Sequence, residues 1–229
     1  DSLARTYLQA DGTEQTRILK DLRDQPDQML TLGLRIKQQS QQLGIPDTLS
    51  NVDYNIAFAH YNNGNYDSAV QILDQTIDIL RKNANKPSLL ANMLNLAGIA
   101  YDLQGRYPKA LQSYYEALTI WEKQADKRGQ GMAYHNIGNV YAYQKEFYKA
   151  IEYYEKSLEI SLATQDTTSI VYLYSNIGLI WRKNLDSLDL AMDYYQRSLE
   201  WAKQQDDEDV TAIPLYGITH VQIKREQLD

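Results

Sequence analysis

Two amphipathic runs joined by a polar turn form the clearest unit of the chain, at residues 131–157. In each run the apolar and small residues fall at i, i+3, i+4 and i+7, which is the spacing of one helix face. These positions are Tyr134, Ile137, Gly138 and Tyr141 in the first run and Phe147, Ala150, Ile151 and Tyr154 in the second. The unit recurs before and after itself, so the pattern predicts an array of helical hairpins.

Small residues recur at fixed places in these hairpins, with large residues beside them. Two helices that cross closely need a small residue where their backbones approach and a large one to fill the space beside it. The first helices carry Ala57, Gly98, Gly138 and Gly178, spaced by 41, 40 and 40 residues. The second helices carry Ala69, Ala110, Ala150 and Ala191, and the large residues Leu73, Tyr114, Tyr154 and Tyr195. One hairpin cannot bury both of its faces, so we expect the hairpins to stack.

Four hairpins in register occupy residues 50–208. Residues 1–49 predict a leading helix and a degenerate first hairpin, and residues 209–229 predict a closing helix with Gly217 and His220 at the small and large positions. The fourth hairpin has one extra residue between Trp181 and Ala191 and no Gly in its turn, which predicts a longer turn. We expect these parts to form one continuous solenoid domain.

Segments 55–77, 98–120 and 136–160 resemble the tetratricopeptide repeat family through their Leu-Gly, Tyr, Ala, Tyr and Ala-Leu positions. The usual repeat of that family has about 34 residues, whereas this repeat has 40 or 41. The longer repeat resembles a subclass found in bacterial signalling proteins and in polarity-complex scaffolds. The resemblance implies an all-α, right-handed superhelical solenoid of antiparallel helix hairpins, in which the first helix of each hairpin lines a concave groove.

The groove positions that this resemblance implies are rich in Asn, with Tyr and Met among them. Side-chain amides both donate and accept hydrogen bonds, so a ladder of them can hold the backbone of an extended peptide while aromatic rings cover its side chains. The alternative is that Asn only supports helix packing. The candidate residues are Tyr54, Asn55, Phe58, Tyr61, Asn62, Asn92, Asn95, Ile99, Asp102, Met132, His135, Asn136, Asn139, Tyr143, Tyr172, Ser175, Asn176, Leu179, Arg182 and Lys183.

Chaperone-binding members of the family hold two carboxylates with Lys, Asn and Arg on successive first helices. The matching positions here are Asn95, Ile99, His135 and Asn139, so the Lys is missing. The resemblance therefore does not imply recognition of acidic chaperone tails. Binding of a single anionic terminus near Arg182 and Lys183 stays open.

Composition narrows the classes of function. The net charge of −7, the pI near 5.0 and the lack of any Lys/Arg run argue against a nucleic-acid partner. The chain has no cysteine, which excludes disulfides and thiolate sites. No apolar run reaches the roughly 18 residues of a membrane span, so we expect no direct membrane insertion. His60 and His220 fall on packing positions, and no catalytic motif, metal-ligand spacing or cofactor signature is present.

The expected function is non-enzymatic binding of a protein or extended peptide segment, without a cofactor. The resemblance implies the ligand- or partner-sensing part of a bacterial signalling protein, and it favours an extracytoplasmic (periplasmic) location over a cytoplasmic one. A cytoplasmic scaffold or adaptor and a peptide-pheromone-type receptor that changes pitch on binding are alternatives, and an enzyme would have to use His135 with Asp102. A homodimer through exposed aromatic residues of an end helix, such as Trp201 or Tyr216, is a further expectation.

Overall fold

The structure, a computed structural model, describes residues 2–10, 12–22, 25–43, 49–82, 85–205 and 207–227. This part of the chain contains twelve α-helices and no strand, which confirms the all-α class. The helices are α1 (Ser2–Gln9), α2 (Gly12–Asp21), α3 (Pro26–Leu43), α4 (Leu49–Asn62), α5 (Tyr66–Lys82), α6 (Pro87–Leu103), α7 (Tyr107–Lys123), α8 (Lys127–Tyr143), α9 (Phe147–Thr164), α10 (Thr167–Lys183), α11 (Leu188–Ala202) and α12 (Glu208–Glu226).

The chain divides into two compact units, Asp1–Ile120 and Trp121–Asp229, and the boundary falls inside α7. Neighbouring helices pack as hairpins, such as α4 with α5 in the first unit and α8 with α9 or α10 with α11 in the second. Each hairpin also packs against the next within its unit, for example α5 against α6 and α9 against α10. The predicted array of hairpins is therefore confirmed, and the continuity of one solenoid across the boundary stays a prediction.

Tyrosine rings fill the space beside the small residues, as the spacing predicted. A Cβ atom on Gly98 would lie 2.5 Å from the ring of Tyr114, so the ring occupies the space that a side chain would need. The three rings concerned are at most 3% exposed. A buried ring against a bare backbone lets the two helices of a hairpin approach closely. The pairs are Gly98 with Tyr114, Gly138 with Tyr154, and Gly178 with Tyr195.

The closing helix α12 uses its glycine in a different way. The sequence predicts Gly217 at the same small position as Gly178, but the structure turns Gly217 towards the preceding helix, where its Cβ would lie 2.3 Å from the ring of Tyr195. That part of the prediction is wrong. Without a side chain at Gly217, α12 can approach α11 and pack against the same tyrosine ring that Gly178 contacts. The residues of α12 that are buried are Val210, Pro214, Gly217 and Val221.

A partly buried ion pair joins the leading helix α3 to the first regular hairpin. Lys37 Nζ in α3 lies 2.8 Å from Asp53 Oδ1 in α4, and the hydroxyl of Thr76 in α5 donates to Asp53 Oδ2 at 3.1 Å. The same repeat position holds Leu94, Tyr134 and Tyr174 in the later hairpins. Because a buried carboxylate needs partners, Asp53 ties α3, α4 and α5 together.

The turn within each hairpin contains one residue with a positive φ angle. Gly64 and Gly105 have φ values of 73° and 71°, and the matching residues Lys145 and Asp186 have φ values of 63° and 50°. In the fourth hairpin, four residues separate Lys183 from Leu188, whereas three residues separate the two helices of each earlier hairpin. The longer turn predicted there is confirmed. Lys145 and Asp186 hold a left-handed conformation that glycine adopts more easily.

Replacing Lys145 by Gly should stabilise the second unit by roughly 0.5–1 kcal/mol, because glycine removes the cost of the left-handed conformation. The reverse change, Gly105→Ala, should destabilise by a similar amount, since no atom lies within 4 Å of the added Cβ and only the φ angle of 71° opposes it. Thermal and urea unfolding of both variants check this. Equal effects of the same sign would contradict it.

Substituting Gly138 by Ala should cost about 1–3 kcal/mol of unfolding free energy. The new Cβ would lie 2.6 Å from the Tyr154 ring and 3.3 Å from the Ala150 carbonyl oxygen. Gly178→Ala is the matched control, because its Cβ would lie 3.1 Å from the Tyr195 ring. The better helix propensity of Ala, worth up to about 1 kcal/mol, should bring that variant close to wild type. Urea unfolding separates the two, and an equal loss in both would refute the packing argument.

Candidate functional site

Two rows of partly exposed side chains run along α8 and α10 in the second unit. Their residues are spaced by four, three and four positions, which places each row on one helix face. Four of the eight are large apolar or aromatic residues between 38% and 63% exposed, namely Met132, Tyr143, Tyr172 and Leu179. The rows are Met132, Asn136, Asn139 and Tyr143 on α8, and Tyr172, Asn176, Leu179 and Lys183 on α10. We call these eight residues the groove face.

A hydrogen bond between side chains joins Asn176 of the α10 row to His135, which lies on α8 beside the other row. The Nε2 atom of His135 lies 3.3 Å from Asn176 Nδ2, and the ring of His135 meets that of Tyr154 edge-on with centroids 5.8 Å apart. Burial lowers the pKa of His135, which favours the neutral imidazole. A neutral ring nitrogen can accept a hydrogen bond from the Asn176 amide, so this contact fixes α8 against α10 beside the groove face.

Some of the predicted groove residues serve packing instead. The hydroxyl of Tyr154 donates to Asn139 Oδ1 at 2.7 Å, so Asn139 holds the buried ring of its own hairpin. Ser175 is buried and lies 2.8 Å from Ser198, oxygen to oxygen, which removes it from the groove. The packing interpretation of these polar positions is therefore right for Asn139 and Ser175. Of the three Asn residues on the groove face, Asn136 and Asn176 are therefore the candidates for contact with a ligand.

The two basic residues at the end of α10 have different surroundings. Burial raises the pKa of Tyr195, and the positive charge of the half-buried Arg182 nearby partly opposes that rise. Lys183 is exposed. Of the pair expected to hold an anionic terminus, Arg182 is thus partly engaged in packing, and Lys183 is the one turned to solvent.

A third exposed row lies on α12, which packs against α10. It consists of Ala212, Tyr216, Thr219 and Ile223, and Tyr216 is 66% exposed. In α12, as in α10, the exposed row stands two positions after the row that contacts the preceding helix. The sequence interpretation missed this row, although its four-three-four spacing was visible. Trp201, expected to be exposed, packs instead against the core beside Val171 and Val210.

The first unit carries an aromatic ladder on α4. The centroids of Tyr54 and Phe58 lie 6.4 Å apart, those of Phe58 and Tyr61 6.1 Å apart, and those of Tyr61 and Tyr66 5.9 Å apart. The Asn55 amide donates to its own helix, at the carbonyl of residue 51, at 2.7 Å. The predicted residues of this helix therefore form a half-buried aromatic face, and only Asn62 is fully exposed.

Asp102 on α6 is the most perturbed candidate of the first unit. Its side chain is half-buried, and its Oδ1 atom is buried without a hydrogen-bond partner among the described residues. Burial raises the pKa of Asp102 to about 6. Nearby on the same helix, Asn92 is exposed, while Asn95 and Ile99 are half-buried. A carboxylate oxygen without a hydrogen-bond partner lowers the stability of the fold. Carboxylates with a raised pKa are often found at binding sites.

Within the described ranges, no three His, Asp or Glu side chains come together in a way that would hold a metal ion. In the same residues no helix combines the length and the apolar character that a bilayer crossing requires. The arrangement offers apolar surface, amides and a few charged groups for non-covalent binding.

Comparison with known protein families identifies the repeats. Two family models match, both described as tetratricopeptide repeat, over residues 48–123 and 132–161. The photosystem I assembly protein Ycf3 of Acaryochloris marina is 30% identical over 113 residues, which cover 46% of this chain and 66% of that protein. Response regulator aspartate phosphatase A of Bacillus subtilis is 31% identical over 114 residues, which cover 49% of this chain and 29% of that protein. The chain thus spans less than two thirds of these relatives.

Solved structures share the fold. The apo form of RapI superposes with a TM-score of 0.74 at 14% identity, covering 86% of this chain and 54% of that one. The apo form of the quorum sensor NprR from B. thuringiensis superposes with a TM-score of 0.70 at 18% identity, covering 94% of this chain and 62% of that one. At such identities the likeness concerns the fold alone.

The helical hairpins, the small-residue and tyrosine contacts and the matched repeat models agree. Proteins of this kind bind other proteins or peptides, and the exposed rows of α8, α10 and α12 suit that role. Residues 48–123 and 132–161 of this chain are tetratricopeptide repeats, and the chain is a protein-interaction scaffold.

Proposed function

We propose that the chain is the sensing part of a bacterial signalling protein, and that it binds an extended peptide segment on the groove face. The single observation that carries the proposal is the exposure of Met132, Tyr143, Tyr172 and Leu179 in two adjacent rows that also hold amides. Large apolar side chains that share one exposed face mark interaction surfaces. The amides of Asn136 and Asn176 can bond a peptide backbone between the apolar side chains.

The relatives support the signalling half of the proposal. One match is named a response regulator aspartate phosphatase, and one structural neighbour is titled a quorum sensor. Those words describe the other proteins. They favour a signalling role over the role of a cytoplasmic adaptor and over the assembly role named for Ycf3. An extracytoplasmic position stays part of the proposal, and a peptide-pheromone-type receptor that changes pitch on binding stays the alternative.

The proposed function is binding without catalysis. His135, the one histidine predicted to lie in the groove, bonds Asn176 and packs on Tyr154, so it supports helix packing. Catalysis by His135 with Asp102 would need an acid and a base that share a substrate. Asp102 instead has the character of a binding group, because its buried oxygen lacks a donor among the described residues.

Self-association through α12 is a second candidate, because Tyr216 is 66% exposed. A dimer formed there would cover the third exposed row. Sedimentation measurements of wild type and Tyr216→Ala, run beside the binding experiments, distinguish a dimer that uses this row from a peptide site.

Substituting Leu179 by Lys should weaken binding of peptides selected from a random library by tenfold or more, which is about 1.4 kcal/mol. The change places a charge in the middle of the groove face and removes an apolar contact. Fluorescence anisotropy with a labelled selected peptide measures the affinity. The protein fold should be retained, because the substituted side chain is already 38% exposed.

Leu162→Lys is the matched control. Leu162 is 37% exposed and lies on α9, outside both rows of the groove face. Its substitution should leave the affinity within about twofold of wild type. Equal losses in the two variants would argue against the groove face, and a selected peptide that is indifferent to Leu179→Lys would place its site elsewhere.

Asp102→Asn should raise the unfolding free energy at pH 8, because it removes a carboxylate that is ionised at a cost. The Asp102 pKa near 6 lies about two units above the ordinary value of 3.8. The gain therefore has an upper limit of about 3 kcal/mol, which solvent screening of this half-buried group reduces. The stability advantage of Asp102→Asn should shrink as the pH falls from 6 to 4, because the wild-type carboxyl then becomes protonated in the folded state. Unfolding at several pH values tests the sign, and a variant less stable than wild type at pH 8 would overturn it.

A further inference from the structure

One position of the second helix changes character along the repeats. It holds Leu80, then Trp121, then Ser161, with spacings of 41 and 40 residues. Leu80 and Trp121 are buried and fill their sites. The Trp121 ring lies over Gly129, whose Cβ would come within 2.4 Å of it. One repeat later the position of Gly129 is Ser169, so a Trp–Gly contact is replaced by two serines.

A cavity lies where the indole ring is missing. It has a volume of about 150 Å³ and lies entirely within the second unit, between α8, α9 and the start of α10. An apolar cavity of about that volume holds a benzene ring. Met132 and His135 line it on one side, and Ser161 and Ser169 line it on the other. Because Met132 also belongs to the groove face, the cavity adjoins that surface.

Most of the hydroxyl groups that line the cavity already donate a hydrogen bond within the protein. Ser157 donates to the Gly131 carbonyl at 2.9 Å, and Thr164 donates to the carbonyl of its own helix at residue 160, also at 2.9 Å. Ser169 donates to Asp166 Oδ2 at 2.8 Å. A hydroxyl has one hydrogen and two lone pairs, so these three oxygens still offer acceptors to a ligand.

Ser161 is the exception in this wall. The residue is only 5% exposed and lines the cavity, and its hydroxyl does not donate to any described residue. Ser161 can still donate, so the cavity offers one donor among several acceptors.

Two opposite charges stand at the same cavity. The Asp166 carboxylate caps α10 by accepting from the Ser169 backbone N–H at 3.2 Å, and Arg128 lines the opposite side without forming an ion pair among the described residues. A lone cation would face Arg128, and a lone anion would face Asp166. A neutral group that both donates and accepts suits the pair, and its aliphatic stem would lie against Met132.

We propose that this cavity binds a primary amide, such as the side-chain amide of Gln or Asn. The NH₂ group donates to Asp166 and the hydroxyl lone pairs, and the carbonyl accepts from Ser161 or Arg128. As part of the groove ligand, the amide would be the side chain that fixes the position of the peptide, and this part rests on the proposed function. The cavity itself is tested without any peptide.

Three small probes of similar shape make the test: propionamide, propionate and propylammonium. Saturation-transfer NMR on the purified chain should show propionamide binding in the millimolar range, as expected for a ligand with about five non-hydrogen atoms. The two ions should bind at least fivefold more weakly. The double variant Ser161→Trp, Ser169→Gly rebuilds the Trp121–Gly129 contact and fills the cavity. It should lose the propionamide signal while circular dichroism shows the wild-type helix content.

Ser161→Ala is the second variant, which keeps the cavity and removes only the free hydroxyl. It should weaken propionamide binding by about threefold, and it decides the question if the double variant does not fold. Stronger binding of propionate or propylammonium would overturn the amide assignment. Absence of binding by all three probes, or a propionamide signal that survives in a folded double variant, would overturn the site. Neither result depends on whether a peptide occupies the groove face.

Discussion

One contact determines how the hairpins of this chain form. A residue with little or no side chain in one helix lies against a buried tyrosine ring in the next helix. Gly98, Gly138 and Gly178 each leave room for a ring that could not be accommodated beside a larger side chain. The ring is an apolar body with a polar tip, so it can be buried while its hydroxyl finds a partner, as Tyr154 does at Asn139.

The proposed binding surface follows from the same packing. With one side of each first helix turned to its own partner and another to the preceding hairpin, the row spaced by four, three and four residues is left on the outside. Hydrogen bonding of His135 to Asn176 then fixes two such rows beside each other. The groove face is therefore the part of the helix surface that packing uses least, with Asn139 and Asn176 still bonded to neighbouring side chains. Its character is set by side chains such as Met132 and Tyr172 that packing leaves free to vary.

Periodicity predicted the hairpins well because the same spacing recurs four times. It also predicted the longer turn before Leu188, since an inserted residue between two fixed positions has to be accommodated there. It failed for Gly217, because the rotation of a closing helix depends on which neighbours it has, and spacing alone does not contain that. Burial of Ser175 and the contact of Arg182 with Tyr195 depend on side-chain conformations, which a helical period does not determine.

The positions that depart from the repeat have the greatest functional interest. Ser161 stands where Trp121 and Leu80 fill space, and comparison of the repeats by position could have found it without a structure. Asp102 stands where the next two first helices have Ala142 and Arg182, and it alone places a poorly satisfied carboxylate there. The packing pattern does not require such costs at single repeats, and the proposed recognition role would account for them.

The most direct test of the groove face uses the methionine methyl groups. Of the four methionines, Met29 and Met93 are at most 1% exposed and Met192 is half-buried, whereas Met132 is 40% exposed on the groove face. With ¹³C-methyl methionine labelling, titration of a peptide selected from a random library should shift the Met132 resonance and leave those of Met29 and Met93 in place. Saturable binding without any change at Met132 would contradict the assignment of the groove face as the binding surface.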